Sequence, residues 1–407
     1  MLAKTDADAV RAHNRRAVLD HLRRSGTASR KAISAATGLS VSAASAIANS
    51  LIRAGLLTEI EEDDRLEARR GRPGKGLKLS GEAATVAAAK LGVGEVAVRV
   101  SDYAGTVRGE MRREANIAGW GQGEIVAAIV DLLRDLGFHG PGQPVPRKIV
   151  VAVQGKTDSG LTRLLWSPAL KTRDIELASP LAALTGAEVD VFNDCSMMPE
   201  AFRWNADFEA LDFATLFMGF GVGMGLRLGG ATFQGKRSSA VEFGHINHIP
   251  GGALCRCGNR GCVEAYAGDY AIWRRVNGRP EDVPTRRISD EEMRCLAAAA
   301  RAGEQAACLA FEEAGTAIGY GLGRIFTLID PLPIVFTGSG AEAMDLLEPA
   351  IRVGIKESSI DGFGADTPFS LAEDVDALIF DAATAHALAG LDETFARSGG
   401  GENWEAA

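Results

Sequence analysis

The chain has 407 residues, 46% of them apolar and 24% charged, which is too long for one ordinary core and sets an expectation of two or three domains. No apolar run reaches the roughly 18 residues of a membrane span, and no apolar leader precedes a cleavage site, so the expected compartment is the cytoplasm. The net charge of −9 is unevenly divided: residues 1–80 carry +6 and the remainder −15, a basic head suited to a polyanion on an acidic body that is not.

Residues 9–25 read as a helix, with Val10, Ala17, Val18 and Leu22 at helical spacing and Gly26 as its stop. A second short helix spans 29–37, capped by Ser29 and ended by Gly38, and a third spans 41–54, capped by Ser40, with Ile47 and Leu51 facing inward. Residues 56–60 and 77–79 read as two strands of a hairpin. Three helices and a hairpin make a winged helix-turn-helix, whose second paired helix enters the major groove. Its polar, small face comprises Ser40, Ser42, Ala43, Ser45 and Asn49, with Arg30 and Lys31 placed to anchor phosphates. Such short side chains make no bidentate contact to guanine. A second source of sequence preference is the run Arg69, Arg70, Gly71, Arg72 and Pro73, held extended by its proline, from which Arg70 and Arg72 reach a narrow AT-rich minor groove.

Beyond residue 84 strand-like and helical stretches alternate. Strands are expected over 86–100, 148–153, 189–192, 213–218 and 333–337, and helices over 124–136, 304–327 and 378–396. That pattern gives an α/β body. The division expected is 1–80 for the DNA-binding unit, 81–397 for the body and 398–407 for a disordered, glycine-rich tail.

Three of the six cysteines, Cys255, Cys257 and Cys262, fall within eight residues, and His245 lies ten residues upstream. Three thiolates and one imidazole suit a closed, structural tetrahedral Zn²⁺ site, with Gly258 and Gly261 relieving the backbone around it. His248 is a competing fourth ligand.

Glu242, Phe243, Gly244 and His245, followed by Cys-x-Cys-Gly-x-x-Gly-Cys-x-Glu, resemble the signature of the ROK family of repressors, open reading frames and sugar kinases. The resemblance covers nearly the whole chain. The head, including Gly71, Arg72 and Pro73, resembles those of the family's xylose- and N-acetylglucosamine-type repressors, the run 219–225 resembles its glycine-rich hairpin, and 331–340 resembles its late nucleotide-lobe strand and turn. The resemblance implies a two-lobed actin-like (sugar kinase/ribonuclease H-like) domain and a sugar pocket of Asn193, Asp194, Glu242, His245 and Glu264. Carboxylates accept from vicinal hydroxyls, and a zinc-bound His245 has its ring fixed to donate from the other nitrogen. Two departures stand out. Where family kinases carry Asp-x-Gly-Gly-Thr-Lys, this chain has Lys90 at the Asp position, Gly94 at the Thr and Glu95 at the Lys, and Glu95 repels nucleotide phosphate. After Asn193 and Asp194, Ser196 replaces the family's second Asn.

The function expected is a sugar-responsive, non-enzymatic DNA-binding repressor of carbohydrate-utilisation genes, released by a sugar effector, that acts as a dimer or tetramer on an inverted repeat. Promotion of DNA binding by the sugar is the other direction left open, and an ATP-dependent sugar kinase carrying a DNA-binding head is the alternative.

Overall fold

The structure, a computed structural model, describes residues 7–61, 75–208, 211–239, 241–283 and 286–398. Arg70, Arg72 and the tail after Ser398 lie outside the described residues.

The head runs α1 (Ala7–Ser25), β1 (Thr27–Ser29), α2 (Arg30–Thr37), α3 (Val41–Arg53), β2 (Leu57–Glu61) and β3 (Lys75–Leu79). Its caps are local chemistry. Ser29 Oγ accepts from the Ala32 amide and Ser40 Oγ from the Ala43 amide, each at 3.2 Å, and Gly38 turns the chain between the helices at φ 70°. Ala44, Ala48 and Leu51 form the fully buried stripe of α3, while Ile47 packs at its edge. A strand absent from the sequence expectation, β1, pairs antiparallel with β3, which also pairs with β2. Three residues are too few to show a period.

The first lobe contains β4 (Thr85–Gly92), β5 (Glu95–Asp102), β6 (Val107–Glu114), α4 (Gln122–Asp135), β7 (Lys148–Val153), α5 (Ala178–Thr185), β8 (Glu188–Asn193) and α6 (Asp194–Met197). The stretch expected as one strand over 86–100 is a hairpin, reversed at Val93 and at Gly94, whose φ is 90°. The sheet order is β8-β7-β4-β5-β6, with β8, β7 and β4 parallel and β5 and β6 antiparallel. The second lobe is built from β9 (Phe213–Met218), β10 (Val222–Leu228), β11 (Ala231–Thr232), α7 (Asp269–Val276), α8 (Asp290–Arg301), α9 (Gln305–Ile329), β12 (Ile334–Thr337), α10 (Met344–Ser358) and β13 (Phe369–Ala372). Its sheet, β11-β10-β9-β12-β13, repeats the first: a three-strand antiparallel meander followed by two parallel strands on the other side. This duplicated pattern is the two-lobed, actin-like arrangement.

The last helix, α11 (Val375–Ser398), does not stay with the second lobe. It crosses back to cover β4 and β7 and packs along α1. One apolar core therefore runs without a break from Val18, Leu19, Leu22 and Ile33 of the head to Val86, Val150 and Phe192 of the sheet and Phe380, Leu388 and Phe395 of α11. Into this seam the chain buries an ion pair. Arg23 of α1 donates from Nε and Nη2 to both oxygens of Asp392 of α11, at 2.5 and 2.9 Å, and the two side chains are 3% and 0% exposed. The Tyr103 hydroxyl also donates to Asp392 at 2.6 Å, and Arg23 Nη1 donates to the Tyr103 carbonyl at 2.9 Å. Trp204 closes the other side, with its ring 4.9 Å from the Arg23 guanidinium and its Nε1 donating to Asp20 of α1 at 3.1 Å. Among the described residues no single helix is long and apolar enough to cross a membrane.

Removing one partner of such a pair strands a buried charge. Asp392→Ala is expected to destabilise the chain by about 3–5 kcal/mol, whereas the double change Arg23→Met with Asp392→Leu recovers most of that loss. Denaturant unfolding of the three proteins checks this.

Candidate functional site

Between the two sheets, at the carboxyl ends of β4, β7, β8 and β12, lies a cleft of about 1000 Å³. Open α/β sheets take ligands at this place. All five residues expected at a sugar pocket, Asn193, Asp194, Glu242, His245 and Glu264, line it, but their side chains differ in what they have free. Asn193 ends β8 and caps α6: its Oδ1 accepts from the Ser196 amide at 2.7 Å and its Nδ2 donates to the Gly155 carbonyl at 2.6 Å. Asp194 Oδ1 accepts from the Cys195 amide at 2.8 Å. Burial pushes the Asp194 carboxyl up to about 6, against the opposing pull of the Cys195 amide and of Lys90. Glu242 is exposed on the cleft rim, directly after Val241, whose φ of 70° is left-handed. Such a backbone is unfavourable for a β-branched residue and occurs where surrounding structure imposes it.

Glu264 is different. It is buried and fully bonded within the protein. Arg256 donates to it from Nε at 3.0 Å and from Nη2 at 3.1 Å, the Val222 amide donates at 3.3 Å, and the Tyr270 hydroxyl donates at 3.4 Å. The Arg256 guanidinium stacks 4.4 Å from the Phe220 ring. The glycine-rich run on β10 and its preceding turn makes room for these contacts. A Cβ on Gly221 would collide with Arg256, and one on Gly223 or Gly225 would lie 2.5 Å from Cys195 Sγ or Pro199 Cδ. The hairpin thus packs the second lobe onto α6 of the first.

His245, Cys255, Cys257 and Cys262 converge, with one ligand atom of each lying within 4.8 Å of all the others. Cys255 Sγ is 3.7 Å from His245 Nδ1, and Cys257 Sγ is 3.8 Å from Cys262 Sγ. A tetrahedral ion with bonds of about 2.3 Å sets its ligand atoms roughly 3.7 Å apart, so the donor set fits one ion. With Nδ1 facing the cluster, Nε2 remains for the cleft. Gly258 and Gly261 carry φ of 89° and 82°, as expected of a backbone looped around a metal. His248 is not in the cluster; its ring packs against Tyr266 and Tyr320.

The cleft corner at the start of the β4–β5 hairpin is closed by ion pairs. Lys90 binds Glu95 at 2.8 Å and also Asp376 at the start of α11, and Arg112 binds the same Asp376. Burial raises the Asp376 carboxyl, but the two cations outweigh it and hold it below the ordinary range.

On the head, Ser42 and Asn49 are exposed, Ser45 and Ala43 half-buried, and Ser40 caps α3 while its Oγ also pairs with Ser42 Oγ at 3.0 Å. Lys31 is exposed, whereas Arg30 already donates to Glu59 at 2.8 Å and to Asn49 at 3.0 Å. Sequence reasoning missed Arg256, Trp204 and the Arg23–Asp392 pair. Only Arg256 carries a local signal, as a charge between two cysteines of the candidate metal cluster.

Comparison with known proteins places these features. The family model described as "ROK family" matches residues 88–376, and one for a winged helix-turn-helix DNA-binding domain matches residues 11–58. The xylose repressor of Bacillus spizizenii is 23% identical over 354 residues, covering 85% of this chain and 87% of the repressor. The glucokinase of Streptomyces coelicolor is 26% identical over 223 residues, covering 52% of this chain and 70% of the enzyme. Among solved structures, a ROK family transcriptional regulator, a homologue of the E. coli MLC protein, superposes with a TM-score of 0.75 at 23% identity, covering 95% of this chain and 99% of that one.

The Asp194 carboxyl yields a pH test. Its folded pKa lies above its unfolded value, so the folded state holds the proton more tightly, and stability falls as pH rises from about 4 to above 6. Asp194→Asn removes that cost and is expected to be more stable than wild type above pH 7, by at most about 3 kcal/mol, with the difference vanishing near pH 4. Asp269, raised by burial to about 6, keeps its own share in both proteins. Denaturant titrations at pH 4.5 and 7.5 provide the measurement.

Proposed function

This chain belongs to the ROK family, and from that premise, together with its winged helix-turn-helix match, we propose that it is a sugar-responsive transcriptional repressor. Residues 1–80 form its DNA-binding unit and 81–397 its effector unit. The observation that carries this reading is the joint between the two. The head's helices share an uninterrupted apolar core, and its α1 a buried ion pair, with the helix that also lines the cleft.

The route from cleft to head is short. α6 begins at Asp194; a 3₁₀ turn, Met198–Phe202, follows; two residues later Trp204 stacks on Arg23 and bonds Asp20. α11 runs beside it, with Asp376 at the cleft and Asp392 at the joint. A sugar that moves Asp194 or the second lobe biases both connections, and it can shift DNA affinity only by its differential affinity for the two arrangements. Release of DNA by the sugar is the direction proposed here, beside relatives that carry the name repressor. A symmetric dimer or tetramer reading an inverted repeat supplies the second half-site that one small helix needs. On the operator, Ser40, Ser42, Ala43, Ser45 and Asn49 face the major groove, Lys31 and Arg30 the phosphates, and Arg70 and Arg72 a flanking minor groove.

The His245, Cys255, Cys257 and Cys262 cluster is a structural Zn²⁺ site. The bound metal supplies rigidity, and the four residues use it to fix the His245 ring at the cleft. Sugar phosphorylation is not expected. The Lys90, Glu95, Asp376 and Arg112 ion pairs fill the corner where a kinase holds nucleotide phosphate, and both cations there are already bound to carboxylates of the chain.

Two results test this reading. Purified chain is expected to contain about one zinc, and Cys257→Ser is expected to lose both the metal and the sugar response; full zinc content in that variant contradicts the four-ligand assignment. Asp194→Ala is expected to bind operator as wild type does without sugar and to keep binding at sugar concentrations that release wild type, as read by fluorescence anisotropy of labelled operator. Normal release by that variant removes Asp194 from the effector site.

A further inference from the structure

Two residues beyond Gly225, β10 carries a charge, Arg227. Successive residues of a strand point to opposite faces, so Gly223, Gly225 and Arg227 share one. A Cβ on Gly225 would lie 2.5 Å from Pro199 Cδ, which turns that face toward the 3₁₀ turn Met198–Phe202 that follows α6. The strand partners of Arg227 give the same direction. Phe213 of β9 sets its ring 5.6 Å from that of Phe202, and Thr232 of β11 donates to Glu200 Oε1. Glu200 is the one carboxylate of the turn; it is 2% exposed, and its Oε2 accepts from Arg203 Nε at 2.6 Å. Arg227 is 5% exposed, yet its Nε and Nη1 have no hydrogen-bond partner among the described residues. Glu200 is the carboxylate that pulls on it most strongly. Asp212, the next, already accepts from the Gly229 amide at 2.7 Å.

Two guanidinium groups thus stand about one buried carboxylate, and the arrangement observed satisfies the one that needs it less. The Arg203 side chain is 21% exposed, so water can take its donors. The Arg227 donors are closed off from water, where an unmet charge is far more unfavourable. Turning Glu200 from Arg203 to Arg227 exchanges one ion pair for another and leaves the freed cation at the surface. The two arrangements are therefore discrete and close in energy, as a switch requires. The two cations also belong to different bodies. Arg227 moves with the second lobe, whereas Arg203 directly precedes Trp204, which stacks on Arg23 and bonds Asp20 of the head. We propose that Glu200 is a two-position switch, held by Arg203 in the arrangement observed and by Arg227 when a sugar draws the second lobe onto the first, and that this exchange loosens Trp204 from the head. Arg227 is a positioning residue that acts through Glu200.

The switch rests on the sugar-responsive repressor reading, and the experiment separates the two. Full-length chain is titrated calorimetrically with glucose, xylose and N-acetylglucosamine. The tightest-bound of them is then used with a labelled operator fragment that the wild-type chain selects from random duplexes. Arg227→Met keeps the length of the side chain and removes its charge. It is expected to unfold at no lower denaturant concentration than wild type and to bind operator without sugar within about twofold of wild type. Its sugar-induced fall in operator affinity is expected to shrink by about tenfold or to vanish, the worth of one charge-assisted hydrogen bond. Arg203→Met removes the other position and acts the opposite way: without sugar its operator affinity falls toward the value that wild type shows with sugar. A Glu200 that merely ties down its own turn produces no such opposition. An undiminished sugar response in Arg227→Met overturns the switch and leaves the sugar-sensing reading standing. So does wild-type operator affinity in Arg203→Met, or a marked loss of stability in Arg227→Met, which would mean that its guanidinium already has an acceptor. Binding of none of the three sugars by wild type, or no effect of the bound sugar on operator affinity, contradicts both.

Discussion

A guanidinium and a carboxylate sealed from water at the seam between the head and α11 set the geometry of the whole molecule. Taking Arg23 and Asp392 out of water costs several kcal/mol per ion, and that cost is offset only in the arrangement observed: two parallel N–H to oxygen bonds, a third from the Tyr103 hydroxyl, and the Tyr103 carbonyl on the remaining guanidinium nitrogen. Apolar packing alone tolerates sliding; a directional, desolvated pair does not. The head is consequently held in one orientation on the first lobe, and that orientation depends on where α11 lies.

The second fixed point is at the other end of the same helix. Asp376 draws together Lys90 of β4 and Arg112 of β6, so α11 is tied to the cleft at its start and to the head near its end. Across the cleft, the cysteine-rich loop and the glycine-rich strand β10 form one wall. Gly223 and Gly225 press that wall onto Cys195 and Pro199, the residues that lead from Asp194 to Trp204. Nothing in this arrangement requires a long chain of intermediaries. The two lobes meet at α6, and eight residues after Asp194, where α6 begins, the chain already reaches Phe202, two short of the head contact at Trp204.

What could be read in the sequence is what short-range chemistry writes there. Ser29, Gly38 and Ser40 announce the helix-turn-helix because caps and left-handed turns act over three or four residues. Cys255, Cys257 and Cys262 announce a metal because their thiols are clustered along the chain, and His245 joins them in space as expected. Asn193 and Asp194 were legible through a family pattern and do line the cleft. What could not be read is long-range partnership between ordinary residues. Arg23 and Asp392 are separated by 369 positions and Trp204 from Asp20 by 184, and none of the four stands out by type or spacing. Capture of Glu264 by Arg256 was hidden differently. The motif marks the glutamate, but only the fold shows that its neighbour eight residues earlier already occupies it.

The central claim is that cleft and head are coupled through Trp204 and the Arg23–Asp392 joint. The most direct test is operator affinity with and without a saturating effector sugar, compared between wild type and Trp204→Leu, which keeps the apolar contact but loses the bond to Asp20 and the stacking on Arg23. The account predicts that the variant binds operator and sugar separately, while the sugar-induced change in operator affinity shrinks toward unity. An undiminished change in the variant would contradict it.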